Sequence, residues 1–119
     1  MCSSDLPADK QRALLRDMLD SAKAVRQYMA GVTRDQFMSD TEKQDAVLRR
    51  LEIIGEAASR LSPETQALFP SIPFRAMRGM RNIIIHDYGD VDLVQVWTTA
   101  TADMDDLITT LDRYFASTQ

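Results

Sequence analysis

The sequence predicts an all-α protein, most simply an antiparallel bundle of three long helices and one or two short ones. Apolar residues recur every three or four positions over long stretches, which is the spacing of an amphipathic helix. Runs that alternate apolar and polar residues, as half-buried strands do, are missing from the sequence. The four glycines and four prolines lie mostly at the boundaries of the periodic stretches. The chain is therefore expected to be a succession of helices joined by turns.

The first predicted helix covers residues 8–30. Its apolar stripe consists of Leu14, Leu15, Met18, Ala22, Val25 and Met29. Gly31 follows the last periodic residue and is expected to end the helix, since glycine commonly occupies that position. Residues 33–40 form a polar connector, with a short helical turn predicted around Phe37.

A second long helix is predicted from Thr41 to about Leu61. Thr41 and Gln44 have the spacing of a capping box, which marks a helix start. The apolar positions of this helix are Val47, Leu51, Ile54, Ala58 and Leu61. After it, Ser62 and Pro63 indicate the cap and first turn of a short helix.

The third part of the chain contains a helix at residues 74–86 and a last long helix. Gly89 is expected to mark the end of the former, and Asp90 or Asp92 to cap the latter. The last helix has the most regular stripe in the sequence, formed by Leu93, Trp97, Ala100, Met104, Leu107, Leu111 and Phe115.

The chain of 119 residues has the length of one domain, and we expect a tail at 1–7, a helical domain at 8–115 and a second tail at 116–119. Apolar residues make up 45% of the chain and charged residues 27%, which excludes a disordered composition. One cysteine, Cys2, and one histidine, His86, provide neither an internal disulfide nor a cage of several such ligands. No carboxylate cluster has metal-ligand spacing, and the isolated glycines form no phosphate-binding loop, so we expect no metal and no cofactor.

No apolar run approaches the ~18–20 residues that span a bilayer, and residues 1–7 lack the features of a secretory signal. The expected location is the cytoplasm, without membrane contact. The net charge of −4 argues against a dedicated nucleic-acid-binding protein. However, residues 71–88 contain three arginines and one acid, whereas residues 89–119 are strongly acidic. Any anion site should therefore be small and lie within residues 75–88.

One segment combines cationic, proton-transferring and polar side chains, namely Arg78, Arg81, Asn82, His86 and Tyr88. Arginine binds phosphate through a planar fork, and histidine transfers protons near neutral pH. Together they suit metal-free cleavage of RNA, in which a base takes the proton of the 2′-hydroxyl and the oxygen attacks the adjacent phosphate. On an ideal helix Arg81 and His86 diverge by roughly 140°. They can act on one ligand only if the helix ends near His86 or if a second chain supplies the partner.

Spacing alone leaves structural roles open for the same residues. A histidine near a helix end often caps or packs, and the arginines can form a solvated face or pair with the acidic last helix. Tyr88 can close the edge of the core. Glu52 and Glu56, one turn apart beside Gly55, can be acid–base groups, although a structural role is the simpler interpretation.

Residues 81–88 resemble the R-x4-H-x-Y motif of HEPN-domain proteins. Segments 51–57 and 72–80 resemble helix signatures of the HepT branch, the toxin half of HepT/MntA toxin–antitoxin pairs. The order of the helices is similar as well, and the resemblance extends over about residues 8–115. The short motif has little specificity by itself, but the motif with these flanks is specific.

The resemblance implies an α-helical bundle that forms a homodimer, with the motifs of two chains facing each other across a cleft. It also implies a metal-independent endoribonuclease acting on RNA. The implied catalytic residues are Arg81, which binds or stabilises the scissile phosphate, and His86, a general base or acid. Asn82 and Arg78 are the expected supporting, phosphate-binding residues. The implied antitoxin is an MntA-type nucleotidyltransferase that AMPylates Tyr88, and the added negative charge and bulk would repel RNA from the cleft.

Two other functions remain open at this stage. The net acidity also fits a non-catalytic HEPN binding module for a nucleotide or a nucleotidyltransferase partner. A helical dimer that only holds a partner is the third possibility. RNA cleavage by the unmodified protein would distinguish the enzyme from both.

Overall fold

The computed structural model describes residues 2–87, 89 and 91–117, and within these the chain is α-helical without a strand. The helices are α1 Cys2–Met29, α2 Arg34–Ser39, α3 Thr41–Ser59, α4 Pro63–Ala67, α5 Phe74–His86, α6 Leu93–Thr98 and α7 Met104–Ser117. A π-helical turn, Thr99–Asp103, joins α6 to α7. The prediction of an all-α protein is confirmed.

Helix α3 packs against both α1 and α5, and α1 also packs against α7. The backbone N–H of Ser62, just after α3, donates to Gln11 Oε1 in the first half of α1 at 2.7 Å. The guanidinium of Arg12, also early in α1, lies 4.9 Å from the ring centre of Phe115 near the end of α7. The start of α1 thus lies beside the ends of α3 and α7, so α1 is antiparallel to both.

The core is formed by the apolar stripes of the long helices. Its largest fully buried apolar side chains are Leu15, Met18, Leu19, Phe37, Ile54, Met104 and Leu111. Phe37 comes from α2, so the predicted helical turn in the connector between α1 and α3 exists and contributes to the core. Burial of such side chains is the main stabilising contribution to a bundle of this kind.

One helix start and one helix cap differ from their predictions. Helix α1 begins at Cys2 rather than at residue 8 and therefore contains Pro7. Helix α3 begins at Thr41 as predicted, but the Thr41–Gln44 capping box is wrong, because Asp40 Oδ1 accepts from the Lys43 backbone N–H at 3.0 Å instead. The Gln44 amide donates back to the carbonyls of the preceding connector. Asp and Thr both cap helices well, and the observed cap lies one residue before the predicted one.

The last helix is interrupted, which the sequence pattern did not reveal. Asp92 caps it, accepting from the Val94 N–H at 3.0 Å. The hydroxyls of Thr98 and Thr101 then donate to carbonyls four residues earlier, at 3.1 and 2.8 Å. Such back-bonding competes with the regular helical ladder and accompanies the π-helical turn between α6 and α7.

None of the helices among the described residues is long and apolar enough to cross a bilayer. The domain limits at residues 8 and 115 stay a prediction.

Candidate functional site

Helix α5 carries most of the predicted site residues, and its limits coincide with those predicted. It starts after Pro73 and ends at His86, where the Asp87 N–H donates to the Ile83 carbonyl at 2.8 Å. Phe74 and Ile84 are buried and fix one side of the helix against the core. The polar motif residues are therefore placed by an amphipathic helix, which is more rigid than a loop.

Gly55 allows α5 to approach α3 closely. A Cβ at Gly55 would clash with the Cβ of Arg81 and would stand 2.6 Å from the Met77 carbonyl oxygen. Both approaches are closer than a van der Waals contact. The Met77 oxygen belongs to the backbone of α5 and cannot turn away as a side chain can. Only glycine therefore permits this helix separation, and it places the stem of Arg81 directly on α3.

The guanidinium of Arg81 is held from two sides. Nη2 lies 2.7 Å from Glu56 Oε1 on α3, and Nη1 donates to Asn82 Oδ1 at 3.0 Å. Nε is buried and has no hydrogen-bond partner among the described residues. The Arg81 side chain is 29% exposed, whereas Glu56 is 47% exposed. Arg81 is thus an oriented and partly covered cation.

His86 does not join Arg81 within one chain. It is exposed at the last position of α5. Because the helix continues through His86, the two side chains diverge by roughly 140° and are about 7.5 Å apart along the helix axis. Arg78 is half-buried on the same helix. The structure therefore brings Arg81 and Asn82 together and leaves His86 on another side of α5.

Tyr88, the predicted AMPylation site, lies outside the described residues. Its role as the acceptor stays a prediction.

The surroundings of the motif contain a groove and lack a metal-binding cluster among the described residues. A groove of about 250 Å³ among α1, α3 and α5 contains acidic and basic groups, including Asp17, Glu56, Arg60 and Arg81. Among the described residues, no cluster of three or more His, Cys, Asp or Glu side chains could hold a metal ion.

On the side of α5 away from the core, an exposed row runs along the helix through Ala76, Gly79, Ile83 and His86. Ile83 is the large apolar residue of this row and is 44% exposed. No described atom outside the helix lies within 4 Å of where a Cβ at Gly79 would stand. The row thus consists partly of small and apolar residues, and no other described element packs on it at Gly79.

Sequence reasoning noticed Gly55 and Glu56 but missed their connection to Arg81. The single available signal was a glycine inside a helical stripe, which is typical of close backbone approach. The spacing of residues along the sequence does not show which helix packs against Gly55.

The chain is similar to ribonucleases of one family. Residues 18–114 match the sequence model of the family described as Ribonuclease HepT-like. "Putative RNase MJ1380" of Methanocaldococcus jannaschii is 34% identical over 93 residues, which are 78% of this chain and 85% of that protein. "Probable ribonuclease HepT" of Thermococcus cleftensis is 34% identical over 93 residues, 78% of this chain and 84% of that protein. No solved structure matches the chain.

Proposed function

The chain belongs to the ribonuclease HepT-like family, and we infer that it is the toxin of a toxin–antitoxin pair, a metal-independent endoribonuclease acting in the cytoplasm. One observation carries the inference most directly. Helix α5 presents an oriented arginine, Arg81, and an exposed histidine, His86, at the R-x4-H positions. The names of similar proteins from two organisms support an activity on RNA.

In the proposed reaction His86 takes the proton from a 2′-hydroxyl of the RNA. The 2′-oxygen forms a bond to the adjacent phosphorus, and the bond to the 5′-oxygen of the next nucleotide breaks. That oxygen takes a proton from solvent, and the products are a 2′,3′-cyclic phosphate and a 5′-hydroxyl. Arg81 stabilises the negative charge that develops on the phosphate oxygens, with Asn82 and Arg78 supporting phosphate binding.

A second copy of the chain completes the site in this proposal. Helix α5 ends at His86, but Arg81 and His86 of one chain still face different sides of it, so in this proposal the second chain supplies the partner residue. The uncovered row of Ala76, Gly79 and Ile83 leads to His86 and is the surface that we propose for the contact with a second α5.

The proposed antitoxin is an MntA-type nucleotidyltransferase that AMPylates Tyr88. Tyr88 follows His86 by two positions, so a modification there stays close to the end of α5. Each added AMP brings a negatively charged phosphate beside the arginines of the motif. This charge would compete with the RNA backbone for Arg81 and Arg78.

The test is RNA cleavage by the purified, unmodified protein in the presence of EDTA. We expect wild-type protein to cut RNA and His86→Ala to lose about 10²–10⁴-fold in rate, the usual contribution of a general acid–base group. Arg34→Ala removes one exposed positive charge from α2 and is the control for weakened electrostatic attraction. Equal cleavage by wild type and His86→Ala would overturn the proposal. Tight nucleotide binding without any RNA turnover would support the non-catalytic binding module instead.

A further inference from the structure

Arg81 is not a free cation, because a carboxylate from another helix holds it. Glu56 Oε1 lies 2.7 Å from Arg81 Nη2, and the two residues come from α3 and α5. The contact uses one end of the guanidinium, since Nε has no partner among the described residues. Each Nη carries two N–H groups, so the bonds to Glu56 and Asn82 leave a second donor on both nitrogens.

A carboxylate beside a phosphate-binding arginine has two opposite effects. Its negative charge weakens the attraction of RNA, whereas its hydrogen bond fixes a long and flexible side chain. At this site Glu56 is about half exposed, so water screens its charge. The short hydrogen bond and the backbone contact at Gly55 both restrain the guanidinium.

We propose that Glu56 is a positioning residue of the RNA-cleaving site, which holds the Arg81 guanidinium in the orientation that stabilises the transferred phosphate. This proposal rests on the proposed function. The orientation is prepared during folding by the α3–α5 contact, so RNA binding does not have to restrict the arginine. Glu56 itself does not touch the reacting atoms.

The same helix provides a matched control. Glu52 lies one turn before Glu56 on α3, and its Oε1 is 3.4 Å from Nη1 of Arg49, a residue outside the motif. Both substitutions to alanine remove one negative charge and one ion pair with an arginine. Only the substitution of Glu56 releases Arg81.

The kinetic test compares steady-state cleavage of one RNA by wild type, Glu56→Ala, Glu56→Gln and Glu52→Ala. We expect Glu56→Ala to lower kcat about 10–100-fold without raising KM, because the arginine loses its orientation while the site loses a negative charge. Glu56→Gln keeps an acceptor oxygen and should recover most of kcat. Glu52→Ala should cleave like wild type. A higher kcat/KM in Glu56→Ala, or no recovery in Glu56→Gln, would overturn the proposal.

A second readout does not depend on cleavage. The Nε–H of Arg81 should give a resolved ¹H–¹⁵N NMR signal, identified by its absence in Arg81→Lys. We expect this signal to shift or broaden in Glu56→Ala and to stay unchanged in Glu52→Ala. An unchanged signal in Glu56→Ala overturns the positioning role even if the protein cuts RNA. If the wild type does not cut RNA at all, the proposed function fails while the NMR result still tests the restraint.

Discussion

Gly55 on α3 lies directly against the stem of Arg81 on α5, at a separation that no other residue type allows. This contact determines where the guanidinium can reach and brings it to Glu56, the next residue on α3. The motif arginine is therefore positioned by the packing of two helices as well as by its own sequence position.

Gly55→Ala should destabilise the protein despite the higher helix propensity of alanine. The new methyl group meets the Met77 carbonyl and the Arg81 Cβ, so α3 and α5 must separate. We expect a loss of about 1–3 kcal/mol in the free energy of unfolding, typical of an overpacked interior. Urea unfolding followed by circular dichroism measures this loss. Unchanged or higher stability would show that the two helices can move apart without cost.

Arg81→Lys should reduce cleavage although the positive charge is kept. Lysine has no planar fork and cannot contact Glu56 and Asn82 as Arg81 does. We expect kcat to fall about 10²–10³-fold, the range for removal of one transition-state hydrogen-bond donor. Arg34→Lys, an exposed position on α2, is the matched control and should cleave like wild type. Equal loss in both variants would contradict the assigned role.

Gly79→Gln should prevent dimerisation without unfolding the monomer. The position faces open space, so the longer side chain causes no clash within the chain. In the proposed homodimer it would stand between the two α5 helices. Analytical ultracentrifugation should show the mass of a monomer, with unchanged helical content by circular dichroism. Ala13→Gln, an exposed substitution on α1, should leave the dimer intact. A stable dimer of Gly79→Gln would place the interface elsewhere.

Asp103 gives a prediction on pH and stability. Partial desolvation, and then the nearby Asp106 carboxylate, raise the pKa of Asp103 above its ordinary value of 3.8, although the residue as a whole is exposed. A carboxyl whose pKa is higher in the folded state stabilises the fold below 3.8, and this contribution is lost as pH rises through the folded-state pKa. Asp103→Asn should therefore raise Tm at neutral pH, and the gain should vanish below pH 3.8.

Thermal unfolding of wild type and Asp103→Asn, followed from about pH 3 to about pH 7, measures the difference in Tm. The lower limit lies about one pH unit below the ordinary pKa of Asp, and the upper limit is neutral pH. Asp112→Asn is the control, since Asp112 pairs with Lys23 at 3.1 Å and should give no gain at neutral pH. A pH-independent gain in Asp103→Asn would exclude the carboxyl's ionisation as the cause.

Tyr88→Phe should abolish modification by the proposed antitoxin. Coexpression of the wild type with a nucleotidyltransferase encoded beside it should add mass in steps of about 329 Da, one AMP each. Intact-mass spectrometry measures the addition. Tyr114→Phe is the control, because Tyr114 packs on Phe69 and is not the proposed acceptor. This variant should still gain the mass of AMP. Mass addition to Tyr88→Phe would transfer the acceptor role to another residue.

The sequence by itself determined the all-α class, the limits of α5 and the presence of Arg81, Asn82 and His86 on that helix. These properties depend on local periodicity and on glycine and proline at helix ends, and both are readable along the chain. The choice of cap between Asp40 and Thr41 was not readable in this way, because both residue types cap well.

Only the tertiary structure decided what holds Arg81. Glu56 and Arg81 lie far apart in the sequence and on different helices, so no local pattern links the two residues. Their ion pair exists because α3 and α5 pack at a distance set by Gly55, and which helices pack together depends on the burial of all their apolar faces at once. The sequence therefore specified the chemistry of the motif, whereas the packing of the helices specified its orientation.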